Sequence, residues 1–383
     1  MTGRVLITGA RAPAALELAR SFRAAGFEPH LADSVGARMA TASKAPAAVH
    51  RHAPPRQDPQ GFRSDLKRLA ESLDPVFVIP TCEEVFHLAG AAPAVGLAGK
   101  VFAPDLERLR VLHRKSAFAD LCERLGLHAP RTRRVESASE IIPFAEHADA
   151  LVFKPDWSRF GDRARVRPRL HDLARVRPSP SEPWCVQDYV AGEEVCFYAV
   201  ARRGRLVAFA AYRPRWRTRG GASFAFEPIE PALARKLAEP AAVIADKAVG
   251  TGQFACDAIV DSGGRVWLIE CNPRSTSGVH LFAESALAHA MAAGTPAEAT
   301  PGLRYLGPAM GLMGLPAALA SGKLDAWRTD LREGREVIGA PADGGPLWGA
   351  LADAAMFQLA AFANGRSLTA QMTADIAWNG EAL

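Results

Sequence analysis

The first hundred residues alternate short apolar runs with a stretch of helical periodicity. An apolar run at 5–9 is followed by a helical pattern at 15–22 and by a second apolar stretch that ends at Asp33. A further apolar run lies at 76–80. Because a strand, a helix and a strand in succession imply a parallel sheet, residues 1–110 predict a small, doubly wound α/β domain.

The pattern changes after residue 110, where apolar segments are separated by tight turns as in antiparallel hairpins. We expect an α+β fold in two parts, residues 111–190 and 191–300, followed by a mainly helical appendage at 301–383. The predicted strands are 151–155, 184–190, 193–200, 206–209, 254–260 and 266–270. The predicted helices are 115–125, 232–250, 283–293 and 347–364.

The first strand–helix turn argues against a dinucleotide site. Such a site needs G-x-G-x-x-G at this turn, so that the backbone can approach a pyrophosphate. The turn here begins at Gly9, contains no second glycine through Ala14, and carries Pro13. The sequence therefore disfavours NAD binding.

Composition is that of an ordinary soluble globular protein. Hydrophobic residues make up 49% and charged residues 23% of the 383 positions. No apolar stretch reaches the roughly 18 residues of a membrane span, and the run at 5–9 is too short for a signal peptide. The six cysteines lack metal-ligand spacing and are expected to be buried and reduced. We expect a cytoplasmic protein without a membrane partner.

The net charge of +5 leaves an anionic partner open. The basic residues are unevenly divided, however: eight are lysines and the other 38 are arginines. An isolated surface arginine is therefore weak evidence of a site, whereas a lysine at a chemically meaningful position is stronger evidence.

The predicted hairpin at 254–272 carries the clearest chemical signal. Asp257 and Glu270 lie on either side of its turn, 261–264, where they can oppose each other. Glu270 and Asn272 are two residues apart and share a face of the strand. Two carboxylates and one amide are oxygen ligands suited to one or two Mg²⁺ ions, with Mn²⁺ as a possible substitute.

This hairpin resembles the metal-binding motif of the ATP-grasp superfamily. The D-(x)12-E-x-N-P-R pattern is similar to that of carbamoyl phosphate synthase, biotin carboxylase and D-alanine ligases, and the resemblance covers roughly residues 1–290. It implies a pre-ATP-grasp domain at the N-terminus, followed by a two-part ATP-grasp fold. It also implies that Asp257, Glu270 and Asn272 hold Mg²⁺, and that Arg274 contacts the γ-phosphate or an acyl phosphate.

Two of the eight lysines fall at positions that the resemblance assigns to ATP. Lys115 matches the lysine that reaches the α- and β-phosphates. Lys154 matches the strand lysine between phosphate and adenine. Either residue taken alone would most often be an ordinary surface lysine.

The strand that ends near residue 190 carries the expected adenine and ribose contacts. By the resemblance, Gln187 lies near the adenine amino group, and backbone groups of Asp188 and Val190 read the adenine edge. Glu194 is favoured over its neighbour Glu193 as the acid that binds ribose hydroxyls. Gln187 could instead simply end an apolar strand at the surface.

The loop after Lys154 departs from the family pattern. Many relatives have a glycine-rich loop there that closes over the phosphates, but 156–161 contains only Gly161. Ser158, Arg159 and the backbone at Phe160 and Gly161 could still donate to phosphate. The alternative is an ordinary hairpin turn.

Arginines recur at every second position from Arg213 through Arg215 and Arg217 to Arg219. If this segment is extended, the four side chains share one face and could form an anion site for the triphosphate or a carboxylate. We expect Arg217 or Arg219 to touch ligand. The alternative is a solvated loop, and no nucleic-acid-binding motif accompanies the stripe.

The resemblance implies a ligase that is ATP- and Mg²⁺-dependent. It would activate a small-molecule carboxylate as an acyl phosphate, release ADP, and join the acyl group to an amine or thiol. Glu83 and Glu84, at the carboxyl edge of the N-terminal sheet, could hold a substrate amino group. Phosphorylation of bicarbonate or carbamate remains an alternative, as does a nucleotide-binding sensor or scaffold without turnover. A homodimer is possible, and no nucleic-acid partner is expected.

Overall fold

The computed structural model describes residues 3–159, 161, 163–217, 221, 223–340 and 342–383. The strands are β1 Arg4–Thr8, β2 Glu28–Asp33, β3 Ala48–Arg51, β4 Phe77–Pro80, β5 Thr132–Val135, β6 Leu151–Pro155, β7 Arg165–Val166, β8 Trp184–Asp188, β9 Glu193–Arg202, β10 Arg205–Arg217, β11 Ser223–Pro228, β12 Gly252–Val260, β13 Val266–Asn272, β14 Ala297–Glu298, β15 Arg304–Tyr305 and β16 Arg335–Glu336.

The α-helices are α1 Pro13–Ala24, α2 Arg38–Thr41, α3 Pro59–Leu73, α4 Glu84–Ala91, α5 Leu106–His113, α6 Lys115–Arg124, α7 Pro231–Ile244, α8 Ala286–Ala293, α9 Gly307–Ala309, α10 Leu315–Ala320, α11 Leu324–Glu333, α12 Gly345–Ala363 and α13 Leu368–Thr373. Shorter 3₁₀ and π turns cover Ala92–Val95, Ala138–Ala150, Leu170–Arg175, Ala245–Val249, Ser277–Leu281 and Met310–Gly314.

The N-terminal sheet is parallel, as its sequence pattern predicted. Its strand order is β3-β2-β1-β4, and each neighbouring pair is parallel. Val5, Leu6 and Ile7 are fully buried because helices cover both faces of such a sheet. Pro13 opens α1 at the first helical position, where a missing N–H leaves no hydrogen bond unmade.

Two further sheets follow, the small one antiparallel and the large one mostly antiparallel, with parallel pairs β10–β14 and β15–β16. The small sheet has the order β5-β8-β6-β7. The large sheet runs β13-β12-β9-β10-β11-β15-β16, with β14 beside β10. The hairpin predicted around 261–264 is present, since β12 pairs antiparallel with β13. The mixed α/β and α+β class is therefore confirmed.

The C-terminal region is mainly helical, as we expected, with helices α9 to α13, but it is not helical throughout. Strands β15 and β16 extend the large sheet beyond β11, so this region also completes a sheet. Its last residues return to the N-terminal sheet, where Trp378 is fully buried and stacks on Phe86 with 4.8 Å between ring centroids. A strand of two residues is too short to show a periodic pattern. No local pattern predicts where a C-terminal segment packs.

Helix α12 is long and apolar enough to cross a membrane, judged by length and composition alone. In this structure it packs on α2 of the N-terminal region. Its Asp353 carboxylate accepts hydrogen bonds from the backbone N–H groups of Arg38 (3.0 Å) and Met39 (2.9 Å).

Candidate active site

A row of polar side chains crosses the large sheet. Glu270 on β13 lies opposite Asp257 on β12, and Asp257 lies opposite Cys196 on β9. Cys196 in turn lies opposite Tyr212 on β10. Because directly opposed residues point to one face of a sheet, these groups share that face. Asn272 follows Glu270 by two residues and faces the same side.

The pKa values of the two carboxylates are displaced in opposite directions. Burial, with repulsion from Glu270, raises the pKa of Asp257 to about 7. Burial also raises the pKa of Glu270, but Lys115 and Lys154 outweigh it and bring that pKa below its usual value. Glu270 Oε2 lies 3.6 Å from the Nζ atoms of both lysines. The predicted lysines and the predicted metal ligands therefore meet at one carboxylate.

The lysines reach Glu270 from two different elements. Lys154 lies on β6 of the small sheet, and its Nζ donates to the carbonyl oxygen of Ile269 at 3.4 Å. Lys115 is the first residue of α6, and its Nζ donates to the carbonyl oxygen of Ser158 at 2.5 Å. Both side chains are at least 95% buried. The site therefore lies where the small and large sheets face each other.

Asp156 anchors the start of α6 from the loop after β6. Its carboxylate is fully buried and accepts from Ser116 N–H and Ser116 Oγ, both at 2.8 Å. Its backbone oxygen accepts from the N–H of Lys115 at 3.1 Å. The side chain of Arg114, at the N-cap, makes no capping bond, so Asp156 satisfies the free N–H groups of the first turn.

The Glu83 carboxylate bridges two arginine side chains. Its Oε1 accepts from Arg274 Nε at 2.8 Å, and its Oε2 accepts from Arg159 Nε at 2.9 Å. Burial raises the pKa of Glu83, but the two guanidiniums overcome that effect and hold it well below its usual range. The buried ring of His113 lies beside this pair, 3.7 Å from Glu83 Oε2. Each oxygen of Glu83 thus already accepts from a guanidinium, and our expectation that Glu83 holds a substrate ammonium stays a prediction that this pairing does not favour.

Glu84 is also committed to the fold. Its Oε1 accepts from Thr8 Oγ1 at 2.8 Å and from the backbone N–H groups of Thr81 and Cys82. Burial raises its pKa. Through Oε1 the carboxylate ties the ends of β1 and β4 together, whereas its buried Oε2 has no hydrogen-bond partner among the described residues. A role toward a substrate amino group stays a prediction.

The expected adenine and ribose residues lie along the same opening. Gln187 is buried and donates from Nε2 to Thr132 Oγ1 at 2.9 Å. The Asp188 N–H already donates to the carbonyl oxygen of Arg131, so an adenine contact at this residue would use another backbone group. The carboxylate of Glu194 accepts from Arg217 Nη1 at 2.9 and 3.0 Å.

The arginines of β10 do not converge on one anion. Arg213 pairs with Glu193 and Glu230, and Arg215 pairs with Asp330 and Glu227. Register shifts between Pro214 and Arg217 interrupt the two-residue alternation on which our expectation depended. Arg217 is the member that lines the site, whereas Arg219 lies outside the described residues, as does Phe160.

A cleft of about 560 Å³ joins these groups. The expected site residues that line it are Lys154, Ser158, Gly161, Gln187, Asp188, Val190, Glu194, Arg217, Asp257, Glu270, Asn272 and Arg274. A more open cavity of about 700 Å³ lies at the opposite edge of the N-terminal sheet, away from all of them.

Three features of the site were not predicted from the sequence. Asp156 reads as a turn residue, and only its burial shows that it holds α6. Cys196 looks like any small buried residue until the register sets it beside Asp257. Trp378 has no signal at all, yet its backbone oxygen accepts from Arg159 Nη2 at 2.6 Å.

Comparison with known proteins bears on the fold. No family model and no curated protein matches the chain by sequence. Among solved structures, an L-amino acid ligase from Bacillus licheniformis is similar over 76% of this chain and 75% of its own, with a TM-score of 0.59 and 12% identity.

Two other solved structures show a comparable degree of similarity. An N5-carboxyaminoimidazole synthetase from Staphylococcus aureus, complexed with ADP, is similar over 83% of this chain and 86% of its own, with a TM-score of 0.64 and 12% identity. The biotin carboxylase domain of a Hydrogenobacter thermophilus 2-oxoglutarate carboxylase, in complex with MgADP and bicarbonate, is similar over 78% and 73%, with a TM-score of 0.60 and 13% identity. The chain therefore has the ATP-grasp fold that its hairpin sequence resembles.

Proposed function

We propose that this protein is an ATP- and Mg²⁺-dependent ligase that forms ADP. It would activate a carboxylate as an acyl phosphate and join the acyl group to an amine or thiol. The observation that carries the proposal is the meeting of Asp257, Glu270, Lys115 and Lys154 between the small and large sheets. Two buried lysines beside two carboxylates provide opposite charges for a nucleotide phosphate and for its metal ion.

The donor set at the hairpin fits a hard divalent cation. Among the described residues, no group of three or more His, Cys, Asp or Glu side chains could hold a metal, so in this proposal the third protein donor is the Asn272 amide. Burial and repulsion from Glu270 raise the pKa of Asp257, and a bound cation would offset both effects. In this proposal Asp257, Glu270 and Asn272 hold Mg²⁺, which would neutralise phosphate charge during transfer.

The remaining cleft residues suit a nucleotide. Lys115 and Lys154 would hold the phosphates, and Ser158 would add a donor from the loop after β6. Gln187 and backbone groups of Asp188 and Val190 would bind adenine. Glu194 would bind the ribose hydroxyls. It would do so either in place of its ion pair with Arg217 or together with that pair.

Arg274 would act on the acyl side. A carboxylate oxygen of the substrate attacks the γ-phosphorus, the bond from that phosphorus to the β,γ-bridging oxygen breaks, and ADP leaves. The nucleophile's lone pair then attacks the acyl carbon, phosphate leaves with the bonding electrons, and the nucleophile's proton passes to solvent or phosphate. Glu83 holds the Arg274 guanidinium in place for the anionic groups of both steps. The catalysis is mainly positioning and electrostatic stabilisation.

The Glu270→Gln variant tests the proposal. We expect it to lose Mg²⁺-dependent ADP formation by roughly 100-fold or more, since one charged group of a preorganised site is removed. ADP and phosphate release would be measured over a panel of carboxylic acids and amines. Glu239→Gln, an exposed change on α7, serves as the matched control and should remain active.

Other outcomes would identify the rival functions. ATP binding without turnover for any pair of substrates would indicate a sensor or scaffold. Incorporation of labelled bicarbonate, with no carboxylic acid required, would indicate bicarbonate phosphorylation. An active Glu270→Gln enzyme would disprove the metal assignment.

A further inference from the structure

The outer face of α12 is apolar and uncovered. Trp348 is 76% exposed, Leu359 is 72% exposed and Phe362 is 87% exposed. Asp353 is the helix's single charged residue, and it is buried against α2. Large side chains in this state are costly in water, and a continuous apolar stripe of this kind marks an interaction surface.

The stripe is palindromic. Trp348, Leu351, Ala355, Leu359 and Phe362 follow one another at spacings of three, four, four and three residues. At 100° per residue they fall within an arc of about 80°. The order aromatic, leucine, alanine, leucine, aromatic reads the same in both directions about Ala355.

The inner face fixes the direction in which this stripe points. A Cβ added at Gly345 would lie 2.4 Å from the carbonyl oxygen of Ala42, and one at Gly349 would lie 2.4 Å from that of Arg38. These glycines and Asp353 recur at four-residue intervals and allow α12 to lie directly on the α2 backbone. Rotation of the helix to hide the stripe is therefore blocked.

We infer that this face binds a second copy of the chain, with the two α12 helices antiparallel about a twofold axis at Ala355. In that arrangement each Trp348 meets the Phe362 of the other copy, and each Leu351 meets a Leu359. A twofold interface requires one patch to complement itself, and a palindromic stripe without charges does so. The small residue at the centre lets the helices approach closely.

The available area suits a dimer of modest strength. An aromatic side chain buries about 150–250 Å², so the exposed stripes of two copies would cover on the order of 1,000 Å². This is about the lower limit for a specific interface. Because interfaces at this lower limit are typical of weak, transient complexes, we expect association in the micromolar range.

Sedimentation velocity on the full chain tests the inference. From about 1 to about 100 µM, the range for an interface of this size, wild-type protein should pass from the 40.9 kDa chain mass to twice that mass. The double variant Trp348→Glu/Phe362→Glu should weaken dimerisation by about 100-fold or more. The matched control is Ile142→Glu/Leu170→Glu, at residues that are 71% and 70% exposed, and it should dimerise normally.

Cross-linking tests the geometry. Five of the six native cysteines are buried, so the background is low. Under mild oxidation, Ala355→Cys should form a disulfide-linked dimer. Ala363→Cys on the same helix should not, because an antiparallel pair separates the two introduced thiols by about 24 Å.

Three results would overturn the inference. The first is a wild-type chain that stays monomeric over the whole range. The second is a dimer that the double glutamate variant leaves intact. The third is flotation of the wild-type chain with phosphatidylcholine/phosphatidylglycerol vesicles, lost in that variant, which would make the stripe a membrane-binding face. Each readout is a mass or a flotation, so none depends on the proposed ligase activity.

Discussion

At the scale of single residues, several buried carboxylates act on other side chains and not on a ligand. Asp156 holds the first turn of α6, and Glu83 holds two guanidiniums. A buried charge is tolerated only where hydrogen bonds or opposite charges compensate its desolvation. Both carboxylates meet that condition, and both thereby direct a cationic side chain, Lys115 or Arg274, toward the cleft.

The Asp156→Asn variant tests this indirect role. The amide keeps the shape of the carboxylate but loses its charge. The interaction free energy that holds the first turn of α6 should therefore weaken by about 1.5–3 kcal/mol. We expect the KM for MgATP to rise roughly tenfold, since 1.4 kcal/mol corresponds to a factor of ten. Ser116→Ala removes only the hydroxyl bond and should have a much smaller effect.

A double-mutant cycle separates positioning from general destabilisation. If Asp156 acts through Lys115, the effect of Asp156→Asn on the KM should largely disappear in a Lys115→Ala background. Additive effects on the KM would show that Asp156 serves stability alone. Thermal unfolding of all four proteins gives the stability change to compare with the kinetic one.

At the scale of elements, the loop after β6 contacts both helix α6 and the C-terminal tail. Lys115 Nζ binds the Ser158 carbonyl, and Arg159 Nη2 binds the Trp378 carbonyl of the C-terminal tail. Glycine-rich loops owe their mobility to missing side chains. The contacts at Ser158 and Arg159 are therefore expected to restrain this part of the loop, and the tail contributes to its support.

The Trp378→Ala variant should therefore affect both stability and activity. Loss of a fully buried tryptophan costs about 3–5 kcal/mol, and urea unfolding measures it. ADP formation should fall with it, because Arg159 loses a fixed partner. Trp378→Phe preserves the aromatic stack with Phe86 and should retain most of both properties. Full activity in a folded Trp378→Ala protein would remove the tail from the site.

At the scale of the whole molecule, ion pairs join the N-terminal sheet to distant parts of the chain. Glu83 forms ion pairs with Arg159, which follows strand β6 of the small sheet, and with Arg274, which follows strand β13 of the large sheet. Arg11 binds Asp375 of the tail at 2.6 Å, and it also binds Asp33. The relative placement of the three sheets thus depends on buried charges, which makes it sensitive to pH.

The contributions of His113, Glu83 and Asp375 to stability should fall on acidification in two stages, whereas the contribution of Asp257, whose pKa is raised to about 7, should rise as the pH drops below that value. Burial holds the pKa of His113 at about 3, so an unfolded chain takes up its proton first as the pH drops below about 6.5. The lowered pKa values of Glu83 and Asp375 add stability that is fully present above about pH 5 and is lost as the pH falls through their folded values.

Thermal unfolding of wild type and Glu83→Gln between pH 3 and pH 8 measures the second stage. The variant should be less stable by about 3 kcal/mol at pH 7, because it leaves two buried guanidiniums without their carboxylate. The difference should shrink toward pH 3, because the unfolded wild-type chain protonates Glu83 below about pH 4.5 while the folded chain keeps the carboxylate charged. A difference that stays constant with pH would assign the effect to packing and not to charge.

The sequence by itself determined the chemistry and the local order of this protein. Alternation of apolar runs and turns identified the parallel N-terminal sheet and the β12–β13 hairpin, because periodicity of two or 3.6 residues is a local property. The spacing of Asp257, Glu270 and Asn272 indicated a shared face for the same reason. The scarcity of lysine made Lys115 and Lys154 stand out.

Only the tertiary structure decided which charged groups pair with one another and which line the cleft. The bulged register of β10 places Arg215 beside Asp330, and the two oxygens of Glu83 accept hydrogen bonds from Arg159 and Arg274. The tail reached the site from the far end of the chain. Such contacts join residues tens to hundreds of positions apart, and their energies depend on burial and distance, which no local pattern contains.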